Sequence, residues 1–276
     1  MFTEKTTCWI LTEGIAGTEN QCLGVTDSLG IVPSVKRVSL RQPWKTLSPP
    51  LLKSFSRSFA PKLQPPWPDI LIASGRKSVA ASLYIKQQSQ GHTFTLQIQD
   101  PKIHPKHFDL VAVPHHDDLR GENVIVTDGA PNRVTNEKLR AYKEAFETNL
   151  SRIPYPRVAV LIGGRSKAYE VSEQDIEHLV QSLKSLLATG CGLMITASRR
   201  TGENNIRYLR ESLQNNDAVS FWDGEGENPY FGFLGWADHI IVSEDSVSMI
   251  SEAATTGKPV YRFPLTGGAR RLNKFH

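Results

Sequence analysis

The chain has 276 residues, of which 39% are hydrophobic and 22% charged, and a formal net charge of +4. This length suits one large domain or two of ordinary size, and the composition is typical of a soluble globular protein. No run of about eighteen apolar residues occurs, so no membrane-spanning helix is predicted, and the N-terminus does not resemble a signal peptide. Cys8, Cys22 and Cys191 match no zinc spacing and indicate ordinary thiols in a reducing compartment. We therefore expect a cytoplasmic protein, with peripheral contact to the inner membrane as an open alternative.

The first half of the chain opens with a strand at Thr7–Thr12, a glycine-rich turn and a helix that includes Val25–Leu29. This order is typical of a βαβ unit. The turn contains Gly14 and Gly17 but lacks the GxGxxG spacing, so it does not indicate a dinucleotide site. A tight structural turn and a ligand contact both remain open.

A proline-rich segment at residues 41–68 includes a stretch with the composition of a basic amphipathic helix, Leu51–Phe59. Its cations, Lys53 and Arg57, lie beside two phenylalanines, as in helices that bind at a membrane surface. A surface connection packed on the domain is the alternative. Lipid contact is therefore one predicted interaction of the chain.

Further strands are predicted at residues 69–73, 93–98, 108–113 and 123–127, and helices at 79–86 and 136–150. Arg76 and Lys77 follow one strand end and are expected to face a cleft. Their sequence GRKS lacks the first glycine of a phosphate-binding P-loop, so that motif is rejected.

The loop VPHHDDLRG follows another strand end and contains adjacent titratable residues. His116, oriented by Asp117, could act as a general acid–base pair. A hydrogen-bond network that stabilises the loop is the competing interpretation. Adjacent side chains point in different directions, so we expect no metal site here.

The prolines of Ser151–Pro156 end the preceding helix and predict a boundary between domains 1–152 and 153–276. The second half then repeats strand, polar loop and helix. Its first strand is Arg157–Ile162, and its first helix begins at Ser172 with Asp175 completing the cap. We therefore predict an α/β protein of two Rossmann-like, doubly wound domains facing a cleft.

The loops after the second-half strands are expected to meet at one edge of the sheet, where parallel α/β sheets bind ligands. Glycine backbones, helix N-termini and arginines suit a diphosphate, and an aromatic side chain suits a base. Taken singly, such arginines are usually solvated and such serines often only cap helices. Together they predict a nucleotide site comprising Gly163, Gly164, Arg165, Ser166, Ser198, Arg199, Arg200, Thr201, Trp222, Asp223, Asn228, Asp245, Ser246 and Ser248.

Five stretches carry a resemblance to a known family: GxxGxxxQCLG at 14–24, VLIGGRSKAY at 160–169, TASRRT at 196–201, NPYFGFL at 228–234 and SEDSVSMISEAATTGKPVY at 243–261. The chain resembles the mitochondrial-fission ELM family, which is itself similar to GT-B glycosyltransferases. The resemblance implies a GT-B-like fold in which the C-terminal domain binds a sugar nucleotide. It places Glu252 at the ribose and assigns Gly14, Gly17 and Gln21 to the acceptor side.

The sequence also departs from the glycosyltransferase pattern. Asp245 and Ser246 replace a doubled glycine, so their side chains must turn away from a diphosphate or hold a cation. Family members usually continue beyond His276, and a shortened C-terminal end is therefore expected.

The resemblance implies a metal-independent glycosyltransferase that acts on a cell-envelope or lipid-linked acceptor. Arg165, Arg199 or Arg200 would stabilise the leaving diphosphate, and His116 or Asp117 would deprotonate the acceptor. The expected partner is a nucleotide-sugar donor, with no cofactor and no nucleic acid; the oligomeric state stays open. A non-catalytic, membrane-associated adaptor is the alternative. An NAD-dependent epimerase is disfavoured because the NAD fingerprint is absent.

Overall fold

A computed structural model describes residues 5–42, 44, 56–166, 168–222, 224–268 and 274–275. The chain divides into two compact units, Met1–Arg133 and Val134–His276. In the described part of the chain, no helix has the length and apolar character that crossing a bilayer requires.

The first unit is built on six parallel strands and two main helices. The strands are Cys8–Thr12 (β1), Ser34–Arg37 (β2), Ile70–Ser74 (β5), Phe94–Ile98 (β6), Leu110–Pro114 (β7) and Val124–Thr127 (β8), and the helices are Ala16–Leu29 (α1) and Val79–Gln88 (α2). The sheet order is β2-β1-β5-β6-β7-β8. Short strands Ser39–Leu40 (β3) and Phe59–Ala60 (β4) form a separate antiparallel pair.

Alternating side chains of the first sheet enter two different cores, as period-two strands buried on both faces require. Ile10 and Ile72 pack with Cys22 of α1, whereas Leu11 and Leu71 pack with Ile85 of α2. The helices therefore cover opposite faces of the sheet, which makes the unit doubly wound.

The predicted amphipathic helix Leu51–Phe59 is only partly within the described residues, since 51–55 lie outside them. The described remainder is a 3-10 turn, Ser56–Ser58, followed by β4. Arg57 is exposed, but the Phe59 side chain is fully buried against Tyr84, with ring centroids 5.3 Å apart. The amphipathic helix is therefore wrong for residues 56–59, and the buried Phe59 side chain agrees with the alternative, a connection packed on the domain.

The second unit has five parallel strands, ordered β11-β10-β9-β12-β13. They are Arg157–Ile162 (β9), Gly192–Ala197 (β10), Val219–Trp222 (β11), His239–Ser243 (β12) and Val260–Phe263 (β13). The helices are Asn136–Ala145 (α3), Glu147–Leu150 (α4), Glu173–Ala188 (α5), Glu203–Leu213 (α6), Tyr230–Trp236 (α7) and Val247–Thr255 (α8). Val160 faces α5 and α6, whereas Leu161 faces α3, α7 and α8, so this unit too is doubly wound.

The helix predicted over residues 136–150 is divided into α3 and α4 at Phe146, and both parts belong to the second unit. Helix α3 packs closely on α7: a Cβ at Gly235 would lie 2.8 Å from the Leu139 carbonyl oxygen. A Cβ at Gly232 would lie 2.9 Å from the Phe146 ring. This packing explains why the division falls between Arg133 and Val134, ahead of the predicted boundary at 152/153.

Candidate functional site

The carboxyl-terminal edge of the second sheet brings together three of the predicted polar loops. Strand β9 lies between β10 and β12, so the loops that begin at Gly163, Ser198 and Ser243 are spatial neighbours. The topology therefore places the glycine-rich loop between an arginine-bearing loop and an acidic one.

The carboxylate of Asp245 is turned into the protein and closes on the glycine loop. Its Oδ2 accepts a hydrogen bond from the Gly164 N–H at 2.9 Å, and its Oδ1 accepts one from the Ser243 hydroxyl at 2.7 Å. The Ser243 oxygen in turn accepts the Gly163 N–H at 2.7 Å. The Asp245 side chain is 0% exposed. Of the two arrangements that the sequence left open, the inward turn is the one observed.

Both glycines are required by this packing. A Cβ on Gly163 would lie 2.2 Å from Asp245 Oδ1, and a Cβ on Gly164 would lie 2.1 Å from the Arg200 carbonyl carbon. These separations are far below van der Waals contact, so neither position has room for a larger residue. The glycines were predicted for close approach to a ligand, and they are explained here by close approach of the chain itself.

Three arginines of this edge, among the residues that the structure describes, have exposed side chains. Arg200 lies 3.6 Å from Asp245 Oδ2 through its Nη2 and donates to the Arg165 carbonyl oxygen through its Nη1. Arg165 forms a long ion pair with Glu170, at 3.7 Å between two exposed side chains, which contributes little to stability. Arg199 is also exposed. The edge therefore presents guanidinium groups to solvent, whereas the Asp245 carboxylate is buried.

The hydroxyl groups of the loops after β9 and β10 make hydrogen bonds within the protein. Ser198 caps the 3-10 turn Arg199–Thr201 by accepting the Arg200 N–H, and Thr201 donates to the Gly163 carbonyl oxygen. Ser166 accepts the Tyr169 N–H at 3.1 Å. These residues shape the loops, as the capping interpretation of such serines expects.

A further predicted loop of the site begins at the end of β11 and includes Trp222, Asp223 and Asn228. Its Trp222 donates from Nε1 to the Glu225 carbonyl oxygen at 2.9 Å, and Asn228 accepts the Tyr230 N–H at 3.0 Å. Asp223 lies outside the described residues. Stacking of a base on Trp222 remains a prediction.

Helix α8 begins beside the buried carboxylate. Ser246 is its N-cap and accepts the Met249 N–H, and Ser248 is half-buried in the first turn. One turn further, Glu252 is 4% exposed and accepts a 2.5 Å hydrogen bond from the Tyr230 hydroxyl. Burial raises the pKa of Glu252 to about 7, against the lowering effects of Tyr230 and the Lys138 charge. Burial, together with Glu252, also raises the pKa of Tyr230.

Sequence reasoning missed one residue of this arrangement, Tyr230, as a functional candidate, and it did not pair Ser243 with Asp245. Tyr230 lies in the quoted stretch NPYFGFL, but nothing in the sequence pairs it with Glu252 on another helix. Ser243 precedes Asp245 by two positions, and this spacing is the only signal that both side chains could serve one loop.

The first-unit candidates His116 and Asp117 are each 3% exposed in the turn after β7. The Arg120 guanidinium donates to the Asp117 and Leu119 carbonyl oxygens and so closes the turn. This environment favours the loop-stabilising interpretation. A role as general base remains a prediction, because it requires a path from these buried side chains to an acceptor.

The predicted acceptor-side residues lie at the carboxyl-terminal edge of the first sheet. Gly14 has a φ of +82° and donates its N–H to the Thr12 hydroxyl, and Gly17 is in the first turn of α1. Gln21 is buried, and its Oε1 accepts hydrogen bonds from the Ser74 hydroxyl and the Gln99 amide. In the described residues, no group of three His, Cys, Asp or Glu side chains could hold a metal ion.

Solved structures share this fold at low sequence identity. UDP-GlcNAc 2-epimerase from Neisseria meningitidis, solved with UDP-GlcNAc bound, matches with a TM-score of 0.55 and 16% identity over 93% of this chain and 82% of that chain. UDP-GlcNAc 2-epimerase from Methanocaldococcus jannaschii matches with a TM-score of 0.53 and 11% identity over 98% of this chain and 91% of that chain. MurG from Acinetobacter baumannii matches with a TM-score of 0.50 and 11% identity over 98% of this chain and 82% of that chain. The predicted GT-B-like α/β fold is confirmed, but a fold shared by epimerases and MurG does not select a reaction.

Two curated relatives align with this chain over part of their own length. Mitochondrial fission protein ELM1 from Arabidopsis thaliana is 32% identical over 217 residues, which are 70% of this chain and 51% of the relative. Uncharacterized protein RP120 from Rickettsia prowazekii is 28% identical over 240 residues, 71% of this chain and 64% of the relative. The chain thus spans about half to two thirds of the relatives it matches. The family model for mitochondrial fission ELM1 matches residues 16–276. The chain belongs to the mitochondrial fission ELM1 family.

Proposed function

We propose that the chain binds a nucleotide sugar at the carboxyl-terminal edge of the second sheet and transfers the sugar to a cell-envelope or lipid-linked acceptor without a metal ion. The observation that carries this proposal is the exposed arginine cluster, Arg165, Arg199 and Arg200, on loops that meet beside the start of α8. Guanidinium groups recognise phosphate with charge-assisted hydrogen bonds. The epimerase from Neisseria meningitidis shares the fold and was solved with UDP-GlcNAc bound, so a sugar nucleotide is the ligand class to test first.

In this proposal the arginine side chains, rather than the glycine N–H groups, meet the diphosphate. They would stabilise the charge that develops as the bond between the sugar and the phosphate oxygen breaks. The acceptor hydroxyl would form the new bond to the sugar and lose its proton to a base. His116 or Asp117 remains the predicted base, and Glu252 the predicted ribose ligand.

Isothermal titration with UDP-, GDP-, ADP- and CDP-sugars tests the proposal directly. One donor should bind the wild-type protein, and Arg199→Ala should weaken it by about tenfold, the value of one charge-assisted hydrogen bond. The matched control is Arg152→Ala, which removes the same charge from an exposed position before β9, at the other end of that strand. A folded wild-type protein that binds none of the donors, or equal losses in both variants, would rule out this site.

A second candidate is a non-catalytic adaptor that acts at a membrane surface. It is favoured by the closed glycine loop, whose N–H groups are already bonded to Ser243 and Asp245. The relative named as a mitochondrial fission protein points the same way. Flotation with anionic liposomes separates the candidates: an adaptor should float, lose binding when Lys53 and exposed Arg57 are replaced by Ala, and be indifferent to nucleotide sugars.

A further inference from the structure

The Gly163–Gly164 turn has the elements of an anion-binding site, and that site is filled by the chain itself. Two successive backbone N–H groups point to one side of the turn, an arrangement that commonly binds phosphate. Here they meet the Ser243 hydroxyl and the Asp245 carboxylate at 2.7 and 2.9 Å. The guanidinium of Arg200, 3.6 Å from the same carboxylate, completes the set of donors around it.

We propose that Asp245 is an internal substitute for phosphate: its carboxylate occupies the anion site of the Gly163–Gly164 turn and excludes a phosphate group from it. This inference rests on the proposed nucleotide site for its biological meaning. The inference specifies the part of that site in which phosphate can bind. Asp245 is the residue that determines this position.

Occupancy, and not only charge, excludes phosphate from the turn. The Asp245 side chain is 0% exposed, and its oxygens lie where even a single Cβ on Gly163 would collide. A phosphate oxygen could reach the Gly164 N–H only by displacing the carboxylate, which would leave a buried charge without its donors. A diphosphate must therefore bind further out, on the exposed arginine side chains.

Titration with inorganic pyrophosphate tests the inference without any nucleotide. Asp245→Ala frees the Gly164 N–H and the Arg200 guanidinium, so pyrophosphate should bind at least about tenfold more tightly than to the wild type. Asp245→Asn removes the charge but leaves an amide of the same shape in the turn, so it should gain much less. Glu244→Gln, which loses the adjacent buried carboxylate paired with Arg262, should gain little as a control for net charge.

Three results of the titration would overturn the inference. They are equal gains for Asp245→Ala and Asp245→Asn, an equal gain for Glu244→Gln, and no gain in a folded Asp245→Ala protein. If Asp245→Ala does not fold, Asp245→Ser replaces it. The wild type gives an independent NMR readout: pyrophosphate should shift the side-chain Nε–H signals of Arg199 and Arg200 more than the Gly163 and Gly164 amide signals. Larger shifts of the two amide signals would contradict an occupied turn. A wild type that binds no nucleotide sugar would reject the proposed function and leave this test intact.

Discussion

Asp245, just before α8, and Glu252, within α8, are buried carboxylates whose environments differ. Asp245 accepts hydrogen bonds from a backbone N–H and a hydroxyl and has a guanidinium nearby. Glu252 has one short hydrogen bond, from Tyr230, and is otherwise desolvated. A buried carboxylate with few donors favours its protonated form, which is why the pKa of Glu252 rises to about 7.

This pKa predicts how stability depends on pH. The folded-state pKa of Glu252 lies above its ordinary value of 4.5, so folding takes up a proton between these values. Its favourable contribution is present below pH 4.5 and is lost as the pH rises through 7. Glu252→Gln removes this dependence and keeps an acceptor for Tyr230. Its free energy of unfolding, compared with that of the wild type, should rise by up to about 3 kcal/mol between pH 5 and pH 8.

Urea unfolding at several pH values measures this difference. Glu211→Gln, an exposed substitution on α6, is the matched control for loss of a carboxylate. A Glu252→Gln difference that stays constant from pH 5 to pH 8 would contradict the buried, protonated state.

Sequence reasoning identified the residues of this edge but not the direction of their side chains. The types and spacing of Gly163, Gly164 and Asp245 indicate a loop and a helix start. Whether Asp245 points outward depends on the neighbouring strand β9, which brings the Gly164 N–H within reach only after the sheet forms. Long-range register of this kind is not encoded in any local pattern.

At the scale of elements, helix α5 shows how local chemistry can fix a helix start. Ser172 accepts the Asp175 N–H at 3.1 Å, and Asp175 accepts the Ser172 N–H at 2.9 Å, forming the predicted capping box. Asp175 also accepts hydrogen bonds from the Thr266 N–H and hydroxyl. The same cap therefore fixes the segment that follows β13.

Ser172→Ala should lower the free energy of unfolding by about 1 kcal/mol, the usual value of an N-cap side chain. Ser182→Ala on the same helix is the control: this exposed serine donates only to the His178 carbonyl oxygen, and alanine has the better helix propensity. Chemical denaturation compares the two variants. Equal effects would mean that the capping box does not stabilise α5.

Elements with a strong local signal were predicted well, and weak ones were missed. Strand β9 and the start of α5 are confirmed as predicted. Strand β2 was not predicted, because Ser34–Arg37 is mostly exposed at the sheet edge and lacks an apolar pattern. The break at Phe146 was also missed, since the face of Leu139, Phe146 and Leu150 continues through it.

At the scale of the whole molecule, two doubly wound units form a GT-B-like chain, and the strand–loop–helix rhythm was sufficient to predict this. The boundary at 152/153 remains a prediction from proline positions: the prolines of Ser151–Pro156 follow the end of α4, whereas the compact units divide at Arg133/Val134. The decisive contacts join α3 to α7, which are distant in sequence.

These contacts predict which fragment folds. Residues 134–276 should unfold cooperatively in urea, monitored by circular dichroism. Residues 153–276 should not, because that fragment lacks Leu139, Phe146 and Leu150 and exposes the face of α7, and loss of each such side chain costs about 2–5 kcal/mol. Equally cooperative unfolding of both fragments would instead support the predicted domain boundary at 152/153.

A crystal structure of the protein soaked with UDP or GDP tests the proposed site most directly. We expect a nucleotide at the carboxyl-terminal edge of the second sheet, with phosphate oxygens at hydrogen-bond distance from Arg199 or Arg200 and Asp245 still bonded to the Gly164 N–H. A nucleotide whose phosphates lie on the Gly163–Gly164 amides, or an edge without nucleotide at saturating concentration, would contradict this expectation.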